Sequence, residues 1–158
     1  MSASVVPDYR ALAVILAAER RNSSSIAVAN GCFDLLHVGH VRLLAAARQL
    51  ADVLVVALNS DASVRANKGA GRPAVRLGER LEIVAALAGV DFVTSFDEPT
   101  AAELLDCLRP DVQVKGTDWT PETVPEREVV TAYGGRVAIA GDPKQHASSN
   151  LIAKLSRS

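Results

Sequence analysis

The sequence predicts one α/β domain, a doubly wound parallel sheet of five strands with helices on both faces. Short apolar runs alternate with stretches of helical periodicity along the whole chain. Those runs lack the in-and-out alternation of a sheet with one wet face, as expected of parallel strands covered on both sides. The length of 158 residues suits a single domain spanning residues 1–158, large enough to bury about two-thirds of its unfolded surface. Apolar residues make up 49% of the chain and aromatics only 4%, so the core must rest on Ala, Val, Leu and Ile.

Residues 1–7 read as a loose N-terminus. "PDYRALAVILAAERR" (7–21) is a helix opened by Pro7 and Asp8 and closed by basic residues that suit its C-terminal dipole. "SIAVAN" (25–30) is the first buried strand, broken by Gly31. "GHVRLLAAARQLA" (39–51) is helical, and "DVLVVALN" (52–59) is the near-continuous apolar run of a central strand. The glycine-rich stretch "NKGAGRP" (67–73) reads as a flexible loop. "LGERLEIVAALAGV" (77–90) is a helix and "DFVTSF" (91–96) the third strand. "PTAAELLDCLRP" (99–110) is a helix stopped by Pro110, and "DVQVK" (111–115) the fourth strand. "PEREVVTAYGG" (125–135) is a helix with glycine at its end, "RVAIAG" (136–141) the fifth strand, and "SSNLIAKLS" (148–156) a closing helix. The pattern is Rossmann-like, and its candidate chemistry follows strand ends, where open α/β sheets bind ligands.

Composition excludes several classes. A formal charge of −1 gives no general pull toward nucleic acid or an anionic membrane, so neither is an expected partner. Cys32 and Cys107 make neither a disulfide framework nor zinc spacing. "MSASVVPDYR" lacks a basic segment followed by an apolar one, and no run reaches the roughly 18 residues of a membrane span, so a cytoplasmic protein is expected.

The richest stretch is "NGCFDLLHVGH" (30–40). His37 and His40 have no Cys/His cluster or HExxH pattern to complete a zinc site. Ordinary structural histidines would not need flanking glycines. Gly31 and Gly39 let backbone approach a phosphate, and the helix opening at Gly39 would aim its N–H groups at the anion. The imidazoles would then donate to phosphate oxygens as charge builds on them. Neither a G-x-G-x-x-G fingerprint nor a G-K-[ST] loop is present, which argues against hydride transfer and against a Walker-type site.

With those residues in view, "FDLLHVGH" resembles the H-x-G-H signature of the nucleotidyltransferase superfamily, in its cytidylyltransferase-like branch. "NGCFDLLHVGHVRLLAAARQLAD", "VALNSDASVRANKGAGRP", "ERLEIVAALAGVD", "PDVQVKGTDW" and "SSNLI" follow the order and spacing of the D-glycero-D-manno-heptose 1-phosphate adenylyltransferase domain of bacterial ADP-heptose synthases. The resemblance covers roughly residues 8–156. It implies transfer of a nucleotidyl group from a nucleoside triphosphate, ATP first, to heptose 1-phosphate with release of pyrophosphate. Mg²⁺ is expected on the triphosphate, with no side-chain metal site, and a homodimer is implied.

The resemblance assigns His37, His40 and Lys68 to catalysis. Gly31, Cys32, Phe33, Asp34, Gly39, Arg80, Lys115, Gly116, Asp118, Ser148 and Ser149 would bind nucleotide and phosphate, and Asn59, Asp61 and Arg72 the sugar phosphate. Each has a plainer alternative. Lys68 is also a turn lysine, Arg80 a helix-surface salt bridge, Ser60 or Asp61 a helix cap, and Trp119 a lid aromatic rather than a stacking surface. The final segment departs from the family's Ser-Thr-Thr run, reading Ala147-Ser148-Ser149, with His146 before it and Asp142 where related cytidylyltransferases carry arginine. Lys144 is a candidate compensation. Rival readings are a GTP-using heptose 1-phosphate guanylyltransferase, a glycerol-3-phosphate-type cytidylyltransferase, and a non-catalytic nucleotide-binding module.

Overall fold

The computed structural model describes residues 2–143 and 148–157. The chain runs β1 (Ser4–Asp8), α1 (Tyr9–Arg21), β2 (Ile26–Gly31), α2 (Val38–Arg48), β3 (Val53–Asn59), α3 (Asp61–Lys68) and α4 (Leu77–Ala85). It continues through β4 (Phe92–Phe96), α5 (Ala102–Leu108), β5 (Val112–Lys115), α6 (Arg127–Ala132), β6 (Arg136–Ile139) and α7 (Ser148–Ser156). The strands form one six-stranded sheet in the order β1-β4-β3-β2-β5-β6, and every pairing is parallel.

Central strands β2 and β3 pair from Ile26↔Val53 to Gly31↔Leu58, and both are buried almost throughout. Alternate residues supply two cores. Ala27, Ala29, Leu54 and Val56 pack with Leu44 of α2 and Val84 of α4. Ile26, Val28, Val53 and Val55 pack with Leu12 and Leu16 of α1 and Leu104 and Leu108 of α5. Helices therefore cover both faces, as the unbroken apolar runs require. From β2 the chain winds outward through β3 and β4, then returns to lay β5 on the other side of β2. The resulting crevice at the carboxyl ends of β2 and β5 is where such sheets bind ligands.

Two expectations change. Residues 4–8 are not loose: they form a sixth strand, pairing Ser4 with Phe92 and Val5 with Val93 before a register shift leads to Asp8 opposite Ser95. Pro7 is tolerated because the strand lies at the sheet edge, and its carbonyl accepts from the Thr94 and Ser95 hydroxyls. The 59–68 stretch also holds an additional short helix, α3, capped by Ser60 Oγ accepting from Ser63 N. No helix among the described residues is long and apolar enough to cross a membrane.

Candidate active site

A cavity of about 550 Å³ opens over the carboxyl ends of the central strands. Its lining brings together His37, His40, Lys68, Gly31, Cys32, Phe33, Asp34, Gly39, Lys115, Gly116, Asp118, Ser149, Asn59 and Arg72. Residues from five separate stretches of sequence thus meet in one place, which is the main structural result.

The two histidines are fixed by the start of α2. His37 is the N-cap, and its Nδ1 accepts from Gly39 N at 3.1 Å. His40, three residues on, returns the favour: its Nδ1 accepts from His37 N at 3.2 Å. A ring nitrogen that accepts from an amide carries no proton, so in the neutral rings the proton sits on Nε2. Helix capping thereby sets the tautomer of both imidazoles and leaves Nε2–H as the donor of each. The rings lie 4.0 Å apart between centroids, and Phe33 packs against His40 at 5.4 Å. Burial, aided by His37, lowers the His40 pKa to about 4, so its ring is neutral near pH 7. The Gly39 amide expected to greet a phosphate is the one held by His37 Nδ1; it caps the helix instead.

Lys115, at the end of β5, is largely withdrawn from water. Its Nζ donates to Asn30 O at 3.2 Å and lies 5.2 Å from the Trp119 ring centre, a cation–π contact. Burial lowers its pKa. Trp119 therefore covers a lysine at the cavity wall. Lys68 ends α3 and is exposed; its charge is felt at both Cys32 and Lys115. Gly69 and Gly71 follow at φ +97° and +86°, backbone that a side chain would strain. Burial pushes the Cys32 thiol up, away from the thiolate form a nucleophile needs.

Four expected ligand residues have other employment. Arg80 is 1% exposed and does not line the cavity. Its guanidinium donates to Val75 O, Cys32 O, Asn59 O and Asp61 Oδ1, fastening three loops together. It is not a solvated surface pair. Asp61 likewise lies outside the cavity, accepting from Arg80 and from Leu77 N at the start of α4. Asp34 lines the cavity but is 3% exposed, and its carboxylate holds Arg72 Nε, Ala74 N and Val75 N. An anion beside an anionic ligand is unfavourable unless it is neutralised, and these donors neutralise it while pinning the 72–75 segment. Asn59 reaches the lining too, with its amide engaged by Cys32 Sγ and Ser63 Oγ. Arg72 keeps a place at the wall, half of it given to Asp34.

At the mouth, Thr117 Oγ1 donates to Asp142 O at 2.6 Å, and Arg42 of α2 pairs with the Asp142 carboxylate. Asp142 thus bridges α2 to the 115–119 loop. The side chain of Ser148, and Lys144, His146 and Ala147, lie outside the described residues. Sequence reasoning missed Asn30, Thr100, Ala101 and Glu126, which also line the cavity. The one available signal was Asn30, a polar residue closing an otherwise apolar strand.

A switch-point crevice with paired imidazole donors and two lysines is built for phosphates, and the chain is a nucleotidyltransferase. It belongs to the cytidylyltransferase-like family, whose profile matches residues 28–154. It is 50% identical over 141 residues to the bifunctional protein HldE of Syntrophotalea carbinolica, covering 89% of this chain and 29% of that one. Over 150 residues it is 50% identical to the bifunctional protein HldE of Geotalea uraniireducens, covering 95% and 31%. The chain thus spans under a third of the length of these curated relatives. The lipopolysaccharide core biosynthesis protein from Thermoplasma volcanium shares the fold, with a TM-score of 0.67, 24% identity, and coverage of 77% of this chain and 99% of that one.

Proposed function

We propose that the chain transfers the nucleotidyl group of ATP to D-glycero-D-manno-heptose 1-phosphate, giving ADP-heptose and pyrophosphate in the cytoplasm. The observation that carries this reading is the pair of Nε2–H donors fixed by the α2 cap in the same cavity as Lys68 and Lys115. The resemblance of "NSD", "NKGAGRP" and "VKGTDW" to the heptose branch, and the similarity to proteins named HldE, point the acceptor toward heptose 1-phosphate.

In this reading an oxygen of the sugar phosphate attacks the α-phosphorus in line. The bond from that phosphorus to the bridging oxygen breaks, and pyrophosphate departs with the negative charge. No protein nucleophile is required, which agrees with a protonated, buried Cys32. Catalysis then rests on positioning and on donors that gain strength as charge moves. His37 and His40 donate to the phosphate oxygens through Nε2. Lys68 closes over the triphosphate as its glycine-flanked loop moves, and Lys115 holds the bridging region. Mg²⁺ would be bound mainly through the phosphate oxygens of the triphosphate, offsetting their charge.

Incubation with each of the four nucleoside triphosphates, Mg²⁺ and heptose 1-phosphate, with pyrophosphate measured, tests the reading. ATP should support the fastest release. Preference for GTP would move the product to GDP-heptose. Absence of release with every triphosphate would favour the non-catalytic binding module.

A further inference from the structure

The cavity has two chemically different ends. Around the start of α2 it presents imidazoles and glycines. Where α5 and α6 begin, its wall is Phe96, Pro99, Thr100, Ala101 and Glu126, with Lys115 of β5 close enough to feel the Glu126 charge. Glu126 is 5% exposed, a buried carboxylate that no part of the phosphate chemistry uses.

Its hydrogen-bond partners are neutral. Oε1 accepts from Ala101 N at 3.2 Å, and Oε2 from Gln113 Nε2 at 3.2 Å. Gln113, wholly buried in β5, also donates to Asn30 Oδ1 at 3.0 Å, which ties Glu126 to the cavity floor. No ion pair to Glu126 is formed among the described residues. Lys115 feels its charge, while its Nζ donates a hydrogen bond to Asn30 O. Buried carboxylates are ordinarily matched by short, charge-assisted bonds. A carboxylate has about four acceptor positions, and the described residues fill two of these.

A group in that state takes hydrogen-bond donors and rejects anions. Phosphates have no donors at neutral pH and would be repelled, whereas vicinal hydroxyls fit. We infer that Glu126 is a specificity-determining residue that accepts from hydroxyls of the sugar, seating the polyol at the α5–α6 end with its phosphate toward Lys68 and Lys115. The inference rests on a sugar 1-phosphate being the acceptor. It assigns Gln113 the positioning role, holding the carboxylate and Asn30 in register.

Calorimetric titration of heptose 1-phosphate into the protein loaded with a non-hydrolysable ATP analogue tests it. Glu126→Gln keeps the size but removes an acceptor, and should weaken sugar binding at least tenfold while analogue affinity stays within twofold. A series of monodeoxy mannose 1-phosphates gives a second readout. Wild type should lose affinity when one particular hydroxyl is missing, and E126Q should show no such penalty at that position. Equal sugar affinity in wild type and variant, parallel loss of nucleotide and sugar binding, or a wild type that binds none of these sugar phosphates would overturn it. The deoxy series on wild type alone decides the matter if E126Q fails to fold, since a flat series excludes a hydroxyl acceptor. Binding without pyrophosphate release would count against the proposed reaction and leave Glu126 standing.

Discussion

The turn into α2 and the clamp around Arg80 both look like phosphate machinery in the sequence, and the structure separates them by what each polar atom already holds. At the α2 turn helix capping occupies Nδ1 of each imidazole and so places the ring proton on Nε2. At the clamp, Arg80 gives its guanidinium to three backbone carbonyls and Asp61, and Asp34 gives its carboxylate to Arg72 and two amides. A charged side chain after a strand is therefore a ligand or a scaffold according to its remaining hydrogen-bond capacity, not its charge.

Substitutions should pull the two regions apart in opposite directions. His40→Ala is expected to give the largest effect, a loss of about 10³ in turnover in the pyrophosphate assay, the typical cost of deleting a transition-state donor. It also removes the acceptor for His37 N, costing about 1 kcal/mol, or a few degrees in melting temperature. Turnover unchanged within tenfold would dissolve the contrast with the clamp.

Arg80→Met should do the reverse. Removing the cation takes the Arg80 donors from Cys32 O and Asn59 O in a buried setting and strips Asp61 of its ion-pair partner. A stability loss of about 3 kcal/mol is expected by urea unfolding. Turnover of the molecules that remain folded should fall far less than in H40A. A variant as stable as wild type but unable to bind nucleotide would restore Arg80 as a ligand.

What was legible in the sequence follows the same division. Strands β2 and β3 announced themselves because burial on both faces demands unbroken apolar runs, as in "DVLVVALN". The edge strand β1 did not, because Ser4–Asp8 is mostly exposed, holds a proline and owes its form to pairing with β4. Helix α3 buries only Ser63 and Val64, so periodicity could not reveal it. Within the site, the histidines were legible through their glycines and spacing. The protein partners of Arg80 and Asp61 were not legible, because a sequence shows that a residue is charged but not which carbonyls and amides reach it. Glu126 was missed because its surroundings, Ala101 and Gln113, come from distant stretches of the chain.

Lys68→Ala probes the boundary between the two regions, since Lys68 is exposed and next to the clamp segment. Stability should change by no more than about 0.5 kcal/mol, as for other surface substitutions. Turnover should fall ten- to a hundredfold, the scale of one charged hydrogen bond to phosphate. Loss of stability without loss of rate would move Lys68 to the scaffold.

The last contrast is one of pH, which assigns each region its own window. The folded state holds His40 near pKa 4 against 6.5 for an unperturbed ring. Between those values the unfolded chain binds a proton that the folded chain refuses, so stability rises with pH there and is lost on acidification from 6.5 toward 4. Asp34 is held below its ordinary 3.8 by the Ala74 and Val75 amides and by Arg72, outweighing burial. Its stabilising effect persists above 3.8 and is lost only as pH falls below that value. Melting temperatures recorded from pH 7 to 3 should therefore decline in two stages. His40→Gln should flatten the first stage, and Asp34→Asn the second. If H40Q leaves the slope between pH 6.5 and 4 untouched, the α2 turn does not bury a neutral imidazole, and the tautomer fixed by its cap loses its main support.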